Sequence, residues 1–230
     1  MKIGILQCGH TPEAVQIEHG EFDALFHHIF EGEGFTFETF NVVDMEFPSG
    51  VDAADGWLVT GSRHGAYEDH GFIPPLEDLI RDIYADGRPM VGICFGHQII
   101  AQALGGKVVK FDGGWAIGRH HYTFDGLGDL AMNAWHQDQV VERPQEAKTI
   151  ASSAFCENAA LLYGNRILTV QPHPEFRNPV IATYLSALRD SGRYPVDLMD
   201  SAATFQDIPN DDARIARMLA DFLKRREVAS

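Results

Sequence analysis

Cys94 lies in the run Gly92–Ile93–Cys94–Phe95–Gly96. This G-x-C-x-G spacing suits a nucleophile held on a tight strand-to-helix turn. Such a turn strains the backbone of its central residue, and small residues two positions before and after avoid the resulting clashes. It lifts the sulfur above the sheet and sets it at a helix N-terminus, where free N–H groups and the helix dipole favour thiolate. The N–H of Phe95 is then free to bind a developing oxyanion. A thiol nucleophile also needs a base. His173, in Gln171–Pro172–His173–Pro174–Glu175–Phe176, is the candidate. Pro174 biases His173 toward extended backbone, and in an extended segment residues i and i+2 point the same way. Glu175 can then hold one imidazole nitrogen while the other faces Cys94.

Hydrophobic patterning locates the elements that must carry these groups. Lys2 to Leu6, Gly56 to Thr60 and Pro89 to Ile93 are short apolar runs of the buried-strand kind, and Phe35 to Phe40 alternates like a strand. Helical spacing is expected over Pro12 to Phe30, with Gly20 a possible interruption, over Pro74 to Asp86 and over Phe95 to Leu104. Strand and helix in alternation predict a mostly parallel sheet with helices on both faces. Between Lys107 and Gln171 short β runs dominate, which predicts a partly antiparallel portion. Helix returns after Phe176, with Ile215, Met218, Leu219 and Phe222 at helical spacing. His173 follows the last of the apolar runs, RILTV. It therefore falls, like Cys94, at the C-terminal strand edge where open α/β sheets bind ligands.

The segments PMVGICFGHQIIAQALGGKV and VQPHPEF together resemble the class I glutamine amidotransferases. The resemblance runs in element order from about Lys2 to Phe176. It implies a three-layer flavodoxin-like α/β fold with a central, mostly parallel sheet and a smaller antiparallel β portion. The whole chain, 1–230, is expected to form one such domain with a helical extension over about 195–230. The resemblance further implies a triad of Cys94, His173 and Glu175, and a γ-glutamyl substrate such as glutamine. The γ-glutamyl amide would be cleaved through a cysteine thioester, releasing ammonia or an amine and glutamate, with no metal or organic cofactor. It places a second oxyanion donor at the Gly61 N–H beside that of Phe95, and substrate contacts at Gln98 and at His136 in a loop bordering the pocket. On a helix Gln98, four residues after Cys94, shares its face. The loop Thr60–Gly61–Ser62 differs from the Gly-Gly-Pro or Asn-Gly-Pro of synthetase-linked members. That loop and HQDQV at His136 to Val140 are closer to the stand-alone branch, which resembles GMP-synthase-like amidotransferases and γ-glutamyl peptidases. Two further readings stand beside glutamine hydrolysis: a γ-glutamyl peptidase acting on small peptides or conjugates, and an inactive binding or regulatory homologue.

Composition bounds the rest. The 230 residues carry 18 Lys and Arg against 33 Asp and Glu, a net charge of −15, with 45% hydrophobic residues. That excludes a disordered chain and argues against nucleic acid as partner. The basic cluster Lys224–Arg225–Arg226 reads as a solvated helix end. No apolar run reaches the roughly 18 residues of a membrane span. No G-x-x-x-x-G-K-[ST] phosphate loop occurs, so any synthetase is expected to be a separate polypeptide. Three cysteines, Cys8, Cys94 and Cys156, suit a reducing, cytoplasmic setting; Cys8 and Cys156 read as structural. Arg63 has the fork geometry to pair with a substrate carboxylate. The pairs His27–His28 and His120–His121 chelate poorly, because adjacent side chains diverge on helix and strand alike. Glu68, Asp69 and His70 read as a solvated loop able to rim the pocket.

Overall fold

The computed structural model of the chain describes residues 1–225. Arg226 of the basic cluster and the end of the C-terminal extension lie outside the described residues. The chain opens with β1 (Lys2–Leu6), α1 (Glu13–His19) and α2 (Phe22–Ile29). The one helical stretch expected over 12–30 is two helices, because Gly20 adopts φ 88° and its N–H closes α1 on the Gln16 carbonyl. β2 (Thr36–Phe40) and β3 (Gly56–Val59) follow, then α3 (Ile73–Asp86), which starts with prolines in its first turn and stops at Gly87 in the left-handed region. β4 (Met90–Ile93) runs directly into α4 (Phe95–Ala103).

The β-rich portion comprises β5 (Lys107–Lys110), β6 (Ala116–Phe124), β7 (Gly128–His136), β8 (Asp138–Glu142), β9 (Ala147–Ser152), β10 (Ala160–Tyr163) and β11 (Ile167–Val170). Nine strands form one sheet in the order β2-β1-β3-β4-β11-β10-β9-β6-β7, and β5 pairs with β8 in a separate antiparallel ribbon. Pairing is parallel from β2 to β11 and antiparallel from β11 to β7. The antiparallel strands thus extend the main sheet as well as forming the ribbon. Strand β7 is the least legible in sequence, because from Leu130 to His136 every residue is buried and the period-2 alternation is absent.

Strand alternation sends Ile3, Ile5, Leu58, Val91, Ile93 and Leu168 to one face of the sheet. There they meet Phe22 and Phe26 of α2, and Val180 and Ile181 of α5 (Asn178–Leu188). Leu6, Trp57, Val59 and Met90 face the other side, against Leu76, Ile80 and Ile83 of α3 and Ile99 and Ile100 of α4. Each such buried aliphatic side chain contributes about 2 kcal/mol. The C-terminal helices α6 (Val196–Ala203) and α7 (Asp212–Leu223) are part of this core. Ile215, Leu219 and Leu223 are fully buried, and Asp211 bonds Ala131 of β7 through both its main chain and its carboxylate. No helix among the described residues is long and apolar enough to cross a membrane. The parallel strands all deliver their C-terminal ends to one edge, and the loops after β1, β3, β4 and β11 meet there.

Candidate active site

Cys94 has φ 52° and ψ −104°, a conformation that costs a non-glycine residue about 1–3 kcal/mol. It is pinned from both sides. The Cys94 N–H donates to the Val170 carbonyl at 2.9 Å, and the Cys94 carbonyl accepts the first helical bond of α4 from Gln98 at 3.0 Å. The flanking glycines are required sterically. A Cβ on Gly92 would lie 2.7 Å from the Gly96 carbonyl oxygen, and one on Gly96 would lie 2.2 Å from that of Val59. The N–H groups of Phe95, Gly96 and His97 precede the helical ladder and point out of its first turn.

His173 and Glu175 are 3% and 1% exposed, and Nδ1 of the imidazole is 2.7 Å from Glu175 Oε1. Their segment turns at Pro174 and Glu175, where extended backbone was expected. The Phe176 N–H donates to the His173 carbonyl, closing a tight bend at Pro174 and Glu175. The bend still brings the two side chains together. Phe176 stacks on the imidazole at 4.0 Å and 4°. Asn133 of β7 clamps the turn: its carbonyl accepts the His173 N–H at 2.9 Å, and its amide donates to the Phe176 carbonyl at 2.6 Å. Sequence reading missed Asn133; its only signal is a lone amide within the apolar run LAMNAWH. Burial alone would depress the His173 pKa. The Glu175 charge, the Cys94 sulfur and the hydrogen bonds to both outweigh it and hold the imidazole above its usual value. With Nδ1 on Glu175, Nε2 is the nitrogen left for Cys94.

The remaining expected residues surround this centre unequally. Gly61 follows β3, and a Cβ there would stand 3.0 Å from His173 Cε1, so its lack of a side chain admits the imidazole. Gln98 lines the Cys94 cavity, but its amide nitrogen already donates to the Asp138 carbonyl at 2.9 Å and to Gln171 Oε1 at 3.2 Å. His136 is not in a loop. It is the last residue of β7, buried, and burial and then the neighbouring His173 push its pKa down to about 3. As neutral imidazole its Nδ1–H faces the Asp138 carbonyl at 3.3 Å, and Nε2 is an acceptor with no partner among the described residues. Arg63 is exposed beside the site and makes no hydrogen bond or ion pair within the described residues.

The loop after β3 also gathers His64, Glu68 and His70, whose ligating atoms lie within 4.8 Å of one another; among the described residues this is the group able to hold a metal ion. One Glu68 oxygen already accepts from His70 at 2.8 Å and from the Gly65 N–H at 3.0 Å. His27 stacks on Phe37, and His121 pairs with Asp129. Cys8 and Cys156 are unbridged, buried thiols whose pKa burial drives up, to about 12 for Cys156.

An open α/β sheet, a cysteine on a strained elbow at its C-terminal edge and a buried His–Glu pair beside it define the class: an α/β protein of the cysteine-elbow type. More narrowly, the chain belongs to the glutamine amidotransferase class-I family, whose model matches residues 41–185. It is 28% identical to gamma-glutamyl peptidase 4 of Arabidopsis thaliana over 224 residues, 90% of this chain and 89% of the relative. It is 33% identical to a glutamine-hydrolyzing GMP synthase subunit of Methanopyrus kandleri over 182 residues, 69% of this chain and 86% of that one. Its fold matches the crystal structure of a glutamine amidotransferase from Thermotoga maritima with a TM-score of 0.75 at 20% identity, covering 97% of this chain and 98% of that one.

Proposed function

We propose that this chain hydrolyses γ-glutamyl amides through a Cys94 thioester. The observation that carries the proposal is the buried His173–Glu175 pair, 2.7 Å apart, set beside a cysteine on a strained elbow. His173 receives the thiol proton, and Glu175 stabilises the imidazolium and fixes its tautomer. The sulfur attacks the γ-carbonyl carbon, and the oxyanion is taken up by the N–H groups of Phe95 and Gly61. His173 then gives its proton to the departing nitrogen as the C–N bond breaks. Water, deprotonated by His173, attacks the thioester, glutamate leaves and the thiol is restored. Gln98 positions the Asp138 carbonyl beside the pocket, while the His136 acceptor and the Arg63 cation suit the ammonium and carboxylate of a glutamyl group.

Two leaving groups fit this chemistry: ammonia from glutamine, and an amino compound from a γ-glutamyl peptide. The first would make the chain the glutaminase partner of a separate synthetase, as the name of the Methanopyrus relative suggests for that protein. The second agrees with the names of the Arabidopsis relatives, which align along nearly the whole chain. Three unbridged cysteines support a reducing, cytoplasmic setting. The test is glutamate release by the purified chain, offered glutamine and a γ-glutamyl dipeptide, with Cys94→Ala beside it. The substitution is expected to lower turnover at least about a thousandfold at an unchanged melting temperature, and to remove a mass-detectable γ-glutamyl adduct. Turnover retained without Cys94 would refute the mechanism.

A further inference from the structure

Two adjoining cavities open at the C-terminal sheet edge, and they divide the reacting groups between them. The smaller, of about 180 Å³, is lined by Cys94, Gln98, His136 and Asp138. The larger, of about 370 Å³, is lined by His173, Phe22, Tyr184 and Arg193. Ser62, Arg63, Trp135 and Tyr194 line both. Cys94 belongs to the smaller cavity alone and His173 to the larger alone. In the reaction proposed above, sulfur attacks the acyl carbon and the imidazolium protonates the departing nitrogen. The acyl half of the substrate therefore sits on the Cys94 side and the amine half on the His173 side.

The amine side is far larger than ammonia requires. A small hydride molecule such as water occupies about 30 Å³ in its liquid, roughly a tenth of this cavity, whose volume is in the range of sites for organic ligands. Its walls are aromatic, with Trp135 and Tyr194 ring centres 5.0 Å apart. They also carry two guanidinium groups, Arg63 and Arg193, with no hydrogen bond or ion pair to a protein side chain among the described residues. Arg81, Arg88, Arg189 and Arg214 are each paired with carboxylates. Arg193, on this cavity alone, and Arg63, shared with the smaller one, are exposed guanidinium groups open to an anion in a chain of net charge −15. Among the described residues of the lining Glu13 is the single carboxylate, against the guanidinium groups of Arg63 and Arg193. Arg193 and Tyr194 stand on the link between α5 and α6, which the Arg189–Asp200 pair, two bonds of 2.9 Å, ties across its base.

We infer that the larger cavity is a leaving-group subsite for an amine bearing its own carboxylate. The fitting class is an α-amino acid or short peptide with an apolar or aromatic side chain, and Arg193 recognises its carboxylate. This rests on the γ-glutamyl amide reading. Arg193 discriminates better than Arg63, because Arg63 borders both cavities and can serve either half.

The experiment measures kcat and KM for glutamate release from γ-glutamyl-phenylalanine and γ-glutamyl-phenethylamide, which differ by one carboxylate, with glutamine as a third substrate. In the unmodified chain the dipeptide is expected to exceed the phenethylamide by about tenfold or more in kcat/KM, the effect of a charge-assisted hydrogen bond. Arg193→Gln should bring that ratio close to one through KM, and Arg193→Lys should restore part of it. A ratio near one in the unmodified chain, or one undiminished by Arg193→Gln, would overturn the inference and leave the γ-glutamyl reading intact. No glutamate from any of the three substrates would overturn both.

Discussion

At the scale of single residues, Cys94 and His173 are held in states they would not adopt free in solution. Cys94 keeps a positive φ because the β11 carbonyl and the first bond of α4 grip it from both sides. His173 keeps a raised pKa although burial opposes it, because Glu175 and Cys94 face it. The sign follows directly. A folded pKa above the unfolded value of about 6.5 gives stability that is complete below that pH and is lost as pH rises through the folded pKa. In the proposed reaction the same proton serves the leaving group, so kcat/KM is expected to persist above neutral pH and fall only as His173 deprotonates. Glu175→Gln removes the largest force raising that pKa. It should move the alkaline limb of the pH–rate profile downward, while costing far less rate than loss of Cys94. An unmoved limb would mean that Glu175 does not set the charge on His173.

At the scale of elements, the site is built where β4, β7 and β11 approach one another. β4 and β11 are parallel neighbours, with Ile93 opposite Val170, so their C-terminal ends deliver Cys94 and the His173 turn to the same edge. Register brings the two segments together, but it does not orient the imidazole. That falls to β7, whose Asn133 bonds both ends of the turn, and to Phe176, which stacks beneath the ring. Asn133→Ala leaves the buried Phe176 carbonyl without its donor. A cost of about 1–3 kcal/mol is expected, together with a fall in kcat exceeding any change in KM, because the imidazole loses its fixed direction. Denaturant midpoints and steady-state kinetics on the same variant check both. Unchanged kcat alongside lost stability would limit Asn133 to a packing role.

At the scale of the whole molecule, the sheet and its two helical layers bury ionisable groups that must stay neutral. Burial pushes the pKa values of His97 and His136 down to about 3. Their folded values lie below the unfolded value of about 6.5, so as pH falls below that point the unfolded chain binds protons that the folded chain refuses. The expected loss of stability is at most about 3 kcal/mol per pH unit for the two together, offset in part by His173, whose contribution of opposite sign is completed as the unfolded imidazole takes up its proton in the same window. Denaturant midpoints at pH 7 and pH 5 test this; equal stability at the two values would contradict it. The C-terminal helices belong to the same scale. They insert Ile215, Leu219 and Phe222 into the core, and the link before them forms a wall of the larger cavity through Arg193 and Tyr194.

The sequence by itself determined the local chemistry and most of the elements. Glycines two residues either side of Cys94, an apolar run before it and helical spacing after it mark an elbow; the clash that keeps Gly92 small is local, against Gly96, whereas the one that keeps Gly96 small comes from Val59 of β3. His173 and Glu175 were legible because two residues separate them, and their bond is local even though the backbone turns where extension was expected. Only the tertiary structure decided what depends on distant strands meeting. A fully buried strand such as β7 loses the alternation by which strands are recognised, so neither Asn133 nor the position of His136 on a strand was visible. The commitment of the Gln98 amide to Asp138 and Gln171 required β8 and β11 to converge on α4. The division of the site into two cavities required Arg193, 99 positions beyond Cys94 in the chain, to return to the edge where the elbow stands. Such contacts depend on packing between elements far apart in sequence, and no local pattern encodes them.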